Sequence, residues 1–134
     1  MARILIIEDN PANMRLTALL VSNAGHTALC AADAESGLPL ARTDQPDLIL
    51  MDMQLPGMDG YKATAILKKD PATAAIPVIA LTALAMKQDE ENARAAGCDG
   101  YVAKPLNFRV LYAAINTLLV PKAAPQAEPV GPQP

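Results

Sequence analysis

Three carboxylates stand where this chain can do chemistry. Asp52 closes the apolar run Leu48-Ile49-Leu50-Met51 and precedes Met53-Gln54-Leu55-Pro56-Gly57. Glu8 and Asp9 close a second apolar run, Ile4-Leu5-Ile6-Ile7. An acid at the end of a buried strand, just before a Pro-Gly turn, fits poorly with a purely structural role. An isolated acidic pair such as Glu8-Asp9 is ordinarily a solvated loop. That changes if Asp52 comes to the same edge, because three convergent carboxylates repel one another and need a cation. Hard oxygen ligands suit Mg²⁺, and the backbone carbonyl of Gln54 offers a further oxygen.

Two more strand-like runs end in polar groups, Thr82 after Ile79-Ala80-Leu81 and Lys104 after the run at 100–103. On a surface, either residue would be unremarkable. Aimed into an acidic pocket, Lys104 is a compact cation for an anionic group on Asp52. The Thr82 hydroxyl and the Ala83 N–H would donate to phosphoryl oxygens. Lys104-Pro105 is a candidate cis peptide, since X-Pro bonds alone reach cis at low cost. Tyr101 lies in the last strand, either as half-buried packing or as a side chain that turns when Thr82 moves.

These groups need a scaffold that brings four strand ends to one edge. Short apolar runs at 4–7, 27–31, 48–51, 77–81 and 100–103 have the length of buried strands. The near-continuous hydrophobicity of the first and third fits strands covered on both faces. Helices fill the intervals. Asn10-Pro11 supplies an N-cap and a proline at the first helical position. Leu16, Leu19, Leu20 and Ala24 then define a stripe, and Gly25 stops that helix. Further helices are expected over 34–42, 60–69 and 86–96, the last being the most polar. A fifth starts near Asn107, with Leu111, Ala114, Ile115 and Leu118 on one face. Pro39 conflicts with the second helix and is expected to shorten or kink it.

Five strand-then-helix repeats imply a parallel sheet wrapped on both faces. Ligands of such sheets bind beyond the carboxyl ends of the strands, where the four polar ends fall. The 134 residues make one domain, with a core at 1–120. Residues 121–134 hold five prolines in fourteen positions and read as a Pro-rich tail or linker remnant.

Composition narrows the function. A net charge of −3 without a basic stripe argues against nucleic-acid binding. Cys30, Cys98 and the single His26 form no metal-ligand set by spacing, and the cysteines read as two reduced, packed thiols. The apolar run at the N-terminus is too short for a signal peptide, and no stretch approaches a membrane span. The expected location is cytoplasmic.

Taken together, Glu8-Asp9, Asp52 before Met53-Gln54-Leu55-Pro56-Gly57-Met58-Asp59-Gly60, Thr82-Ala83 and Lys104-Pro105 resemble the receiver domain of bacterial response regulators over about residues 2–120. The stretches at 82–87 and 96–101 are similar to those of single-domain regulators of the DivK type and of hybrid-kinase receivers. The resemblance implies a flavodoxin-like sheet of order 2-1-3-4-5, an order stated for a member of this group among doubly wound folds. It implies that Asp52 is the phosphoacceptor and that Mg²⁺ is held by Glu8, Asp9, Asp52 and the Gln54 carbonyl. Thr82, the Ala83 amide and Lys104 would bind phosphoryl oxygens, with Thr82 and Tyr101 as the switch pair. Glu8 replaces the aspartate of many members, and its longer side chain implies metal contact through water.

The implied function is phosphoacceptance from a histidine kinase or histidine phosphotransfer protein, within a two-component system or phosphorelay. The chain would assist its own phosphorylation and dephosphorylation without being a conventional enzyme. A downstream effector would read the fourth- and fifth-helix face, and the chain would be a monomer or weak dimer. The alternatives are a binding module that never takes phosphate and a receiver fragment of a larger kinase or regulator. A haloacid-dehalogenase-like hydrolase would carry a second acid where this chain has Gln54, and a dinucleotide binder would show G-x-G-x-x-G after the first strand.

Overall fold

The computed structural model describes residues 2–83 and 87–123. Strands and helices alternate: β1 (Arg3–Ile7), α1 (Pro11–Asn23), β2 (Thr27–Ala31), α2 (Ala34–Asp44), β3 (Leu48–Asp52), α3 (Gly60–Lys69), β4 (Val78–Thr82), α4 (Lys87–Ala96), β5 (Gly100–Ala103) and α5 (Phe108–Ala123). The five strands form one parallel sheet in the order β2-β1-β3-β4-β5. The expected doubly wound α/β architecture and strand order are both present. The helical backbone of α5 continues three residues past Val120, residues 124–134 of the expected tail lie outside the described residues, and so does Met86, the expected start of α4.

Alternation along each strand decides what packs where. Leu5 and Ile7 of β1 join Ile49 and Met51 of β3 on one face, against Ala34 and Ala41 of α2, Ala63 and Leu67 of α3 and Ala93 of α4. Ile4, Ile6, Leu48 and Leu50 point the other way, against Val21 of α1 and Leu111 and Ile115 of α5. Residues 4–7 and 48–51 are fully buried. Their continuous hydrophobicity thus comes from two covered faces.

The local signals act as read, with three exceptions. Asn10 Oδ1 accepts from the Asn13 N–H at 3.0 Å and caps α1, and Gly25 adopts φ 92° just past its end. The buried face of α1, however, is Thr17 and Val21, while Leu16 and Leu19 are 43% and 56% exposed. Thr17 can enter the core because its hydroxyl donates to the Asn13 carbonyl at 2.8 Å. Second, α2 runs past Pro39 to Asp44 rather than stopping near Arg42. Pro39 has no N–H for the Glu35 carbonyl, but both residues are exposed, so that carbonyl is open to solvent rather than buried unpaired. Gln45 closes the helix in the left-handed region at φ 48°, and its Nε2 donates to the carbonyls of Ala41, Arg42 and Ala72. Third, the cysteines are both free, but only Cys98 is packed, its thiol reaching Thr64 Oγ1 at 3.8 Å; Cys30 is exposed on β2.

Candidate functional site

Strand register sets the site. Ile7 pairs with Met51, so the next residues, Glu8 and Asp52, stand side by side at the carboxyl edge of the sheet. Asp52 pairs with Leu81 and Thr82 with Ala103, which places Thr82 and Lys104 on the same edge. Backbone hydrogen bonding continues past the strand ends. The Glu8 N–H donates to Ala31 O at 3.0 Å, Met53 N–H to Leu81 O at 2.9 Å, and Lys104 N–H to Thr82 O at 2.7 Å. The functional groups therefore ride on the sheet rather than on free loops. The Lys104-Pro105 peptide is cis, as expected.

One oxygen from each of Glu8, Asp9 and Asp52 lies within 4.8 Å of the others. Glu8 and Asp52 are buried and Asp9 is exposed, so the cluster has an open side. Lys104 Nζ sits 2.9 Å from Glu8 Oε1 and 3.3 Å from Asp52 Oδ2. Two of the three carboxylates thus share one ammonium. Water screens this paired trio little: Glu8 and Asp52 expose 1% and 3% of their side chains, and Lys104 exposes 16%.

The electrostatics follow from burial and pairing. Desolvation pushes the Glu8 carboxyl above its ordinary range; Asp52 adds to this, while the Lys104 ammonium and the Asn10 N–H pull it back. Burial works against charge on Lys104, but its bonds to Glu8 and Asp52 outweigh that and hold the amine above its ordinary value. Lys104 is therefore a permanent cation at neutral pH.

Most of the expected residues meet here. Thr82 is buried at the β4 end, Ala83 is exposed just beyond it, and Tyr101 is half-buried on β5 against the α2–α3–α4 side of the core. Gln54 enters through an unexpected atom, its N–H donating to Asp52 Oδ1 at 3.0 Å. Asn10 is a second unforeseen partner. Its N–H reaches Glu8 Oε2 at 3.2 Å, so Glu8 is held at one oxygen by Asn10 and at the other by Lys104. The signal for Asn10 was its capping role, which already fixed that backbone next to Glu8. A recess of about 50 Å³, lined by Glu8, Lys104, Asn13 and Thr17 with Leu16, Pro105 and Leu106, opens beside the carboxylates.

A five-stranded parallel α/β sheet with an acidic pocket and a paired lysine at its carboxyl edge defines a class of phosphate-handling switch domain. Residues 4–116 match the response regulator receiver domain family, and the chain belongs to it. Within that family it is 45% identical over 116 residues to the polar-differentiation response regulator DivK of Brucella anthropi, covering 87% of this chain and 94% of that protein. DivK of Brucella ovis matches to the same extent. Among solved structures, the receiver domain of a Pseudomonas aeruginosa sensor histidine kinase, with a magnesium ion coordinated in its active-site cleft, superimposes with a TM-score of 0.83 at 34% identity, covering 89% of this chain and 98% of that one. A response regulator from Chloroflexus aurantiacus gives 0.86 at 28% identity over the same shares. Among the described residues no helix is long and apolar enough to cross a membrane.

Proposed function

We propose that this receiver accepts a phosphoryl group on Asp52 from a phosphohistidine of a histidine kinase or phosphotransfer protein. The observation that carries this is the Glu8–Asp9–Asp52 cluster with Lys104 ion-paired to Asp52. An Asp52 oxygen forms the new bond to phosphorus as the imidazole N–P bond breaks, and the imidazole keeps the electron pair. Such transfers pass through a loose transition state, so positioning and charge neutralisation supply most of the help. The donor set fits Mg²⁺, which Glu8, Asp9, Asp52 and the Gln54 carbonyl would hold and which would supply positive charge when bound. Lys104 and the Thr82 hydroxyl, with the Ala83 N–H, would bind phosphoryl oxygens. The same groups would assist hydrolysis of the product.

The phosphorylated side chain carries roughly −1.5 to −2 charge if it ionises like other phosphorylated residues. That charge would draw Thr82 inward and move Tyr101, biasing the α4–α5 face toward an effector-binding state. The recess beside the carboxylates, with exposed Leu16 at its rim, suits the approach of a helical partner presenting its histidine. Incubation with labelled acetyl phosphate and Mg²⁺ tests the reading. Wild-type chain should take up label and Asp52→Asn should not; label on the variant refutes the assignment. A pocket silent to Mg²⁺ and beryllofluoride would favour a phosphate-independent binding module.

A further inference from the structure

Gly60 opens α3 directly against the strand end that carries Asp52. Its N–H donates to Met53 O at 3.2 Å, closing the loop from Met53 to the helix. A Cβ at this position would overlap the Asp52 carbonyl oxygen and would lie 2.7 Å from both Met53 Cα and Met53 Cε. Two of these three obstacles are backbone, which cannot swing aside as a side chain can. The glycine is not needed for a left-handed conformation, since Gly25, Gly57 and Gly97 are the glycines with positive φ. Close approach is what it provides.

Gly37 offers the contrast. A Cβ there would meet Ile7 Cδ1 at 2.5 Å and Ile7 Cγ1 at 2.8 Å, which are side-chain atoms of one residue. That crowding strains the core but leaves the β3 backbone alone. At Gly60 any added atom must move either the first turn of α3 or the Asp52–Met53 main chain. Asp52 Oδ1 is also tied to the Gln54 N–H within the same loop, so a shift of that main chain re-aims the carboxylate and the Gln54 carbonyl together.

We propose that Gly60 is a positioning residue for the phosphoacceptor. Its bare Cα lets α3 press on the Asp52–Met53 backbone and fixes the direction of the Asp52 carboxylate. This rests on the reading of Asp52 as phosphoacceptor. A reacting group displaced by about 1 Å can lose roughly 10²-fold in rate.

The test compares wild-type, Gly60→Ala and Gly37→Ala chains for melting temperature, Mg²⁺ affinity, and phosphorylation rate with acetyl phosphate at saturating Mg²⁺. Both variants should melt lower. Gly60→Ala should lose about tenfold or more in rate at a weakened Mg²⁺ affinity, while Gly37→Ala stays within about twofold of wild type in both. Equal site function in Gly60→Ala and wild type, or equal losses in the two variants, overturns the proposal. If Gly60→Ala does not fold, Met53→Ala/Gly60→Ala replaces it, with Met53→Ala as reference. That pair removes the Met53 Cε overlap and keeps the backbone ones, so restored function would overturn the proposal. Independently of any variant, the Gly60 amide resonance of the wild-type chain should shift as Mg²⁺ is added, and an unmoved resonance overturns it too. Wild-type chain that takes no phosphoryl group would instead sink the phosphoacceptor reading itself.

Discussion

Replacing Lys104 by methionine probes the charge balance of the pocket. The stem is kept and the ammonium removed. In the parent structure that ammonium lies 2.9 Å from Glu8 and 3.3 Å from Asp52, whose side chains are almost wholly buried. Removing one partner of a buried ion pair costs about 3–5 kcal/mol, because the other charge is left uncompensated. Lys104 keeps 16% of its side chain in solvent, which points to the lower end, about 3 kcal/mol. For a chain of this length that is a fall of roughly 10 °C in melting temperature. The assay is thermal unfolding in EDTA, followed by Mg²⁺ titration. The variant should bind Mg²⁺ more tightly than wild type, because the competing cation is gone. At Mg²⁺ about 100-fold above its Kd, binding restores roughly 2.7 kcal/mol. A variant that melts within about 2 °C of wild type in EDTA would refute the electrostatic argument.

Three other outcomes follow from local structure. Asn10→Ala removes the α1 cap to the Asn13 N–H and should cost about 1 kcal/mol in urea unfolding; an unchanged midpoint would contradict it. Lys68→Met leaves the Ala74 and Ile76 carbonyls and Asp99 Oδ2 without their ammonium, and should cost about 2 kcal/mol by the same measurement. Asp33 caps α2, and its bonds from the Ser36 hydroxyl and N–H hold its carboxyl below the ordinary range. Its folded pKa is depressed, so its stabilisation is present above the ordinary aspartate value of about 3.9 and is lost as pH falls through the folded value. Asp33→Asn should therefore flatten the stability–pH curve below about pH 4, and identical slopes would exclude this contribution.

Much of this was legible in the residues. Runs such as 48–51 have the length and continuous hydrophobicity of a strand buried on both faces, and Asn10-Pro11 and Gly25 mark the two ends of α1. α1 shows where pattern fails. Residues 16–21 are apolar nearly all round, so spacing alone chose Leu16 and Leu19 as the inner face. The structure instead buries Thr17 and Val21, because the threonine hydroxyl can be satisfied within the helix. The end of α2 escaped for a related reason. A glutamine serves as the cap there, bonding two carbonyls of its own helix and a third, on Ala72, that only the fold brings near.

The sequence by itself determined the elements, the acids and lysine at their ends, and the family to which those spacings belong. It did so because strand length, helix caps and polar strand ends are local, and each is set by a few neighbouring residues. Only the tertiary structure decided how those ends face one another. Parallel register set Glu8 beside Asp52, and sheet order brought Lys104 between them from 96 residues away in the chain. Close backbone packing at Gly60 is likewise invisible in one dimension, since it depends on a helix and a strand meeting without a side chain between them.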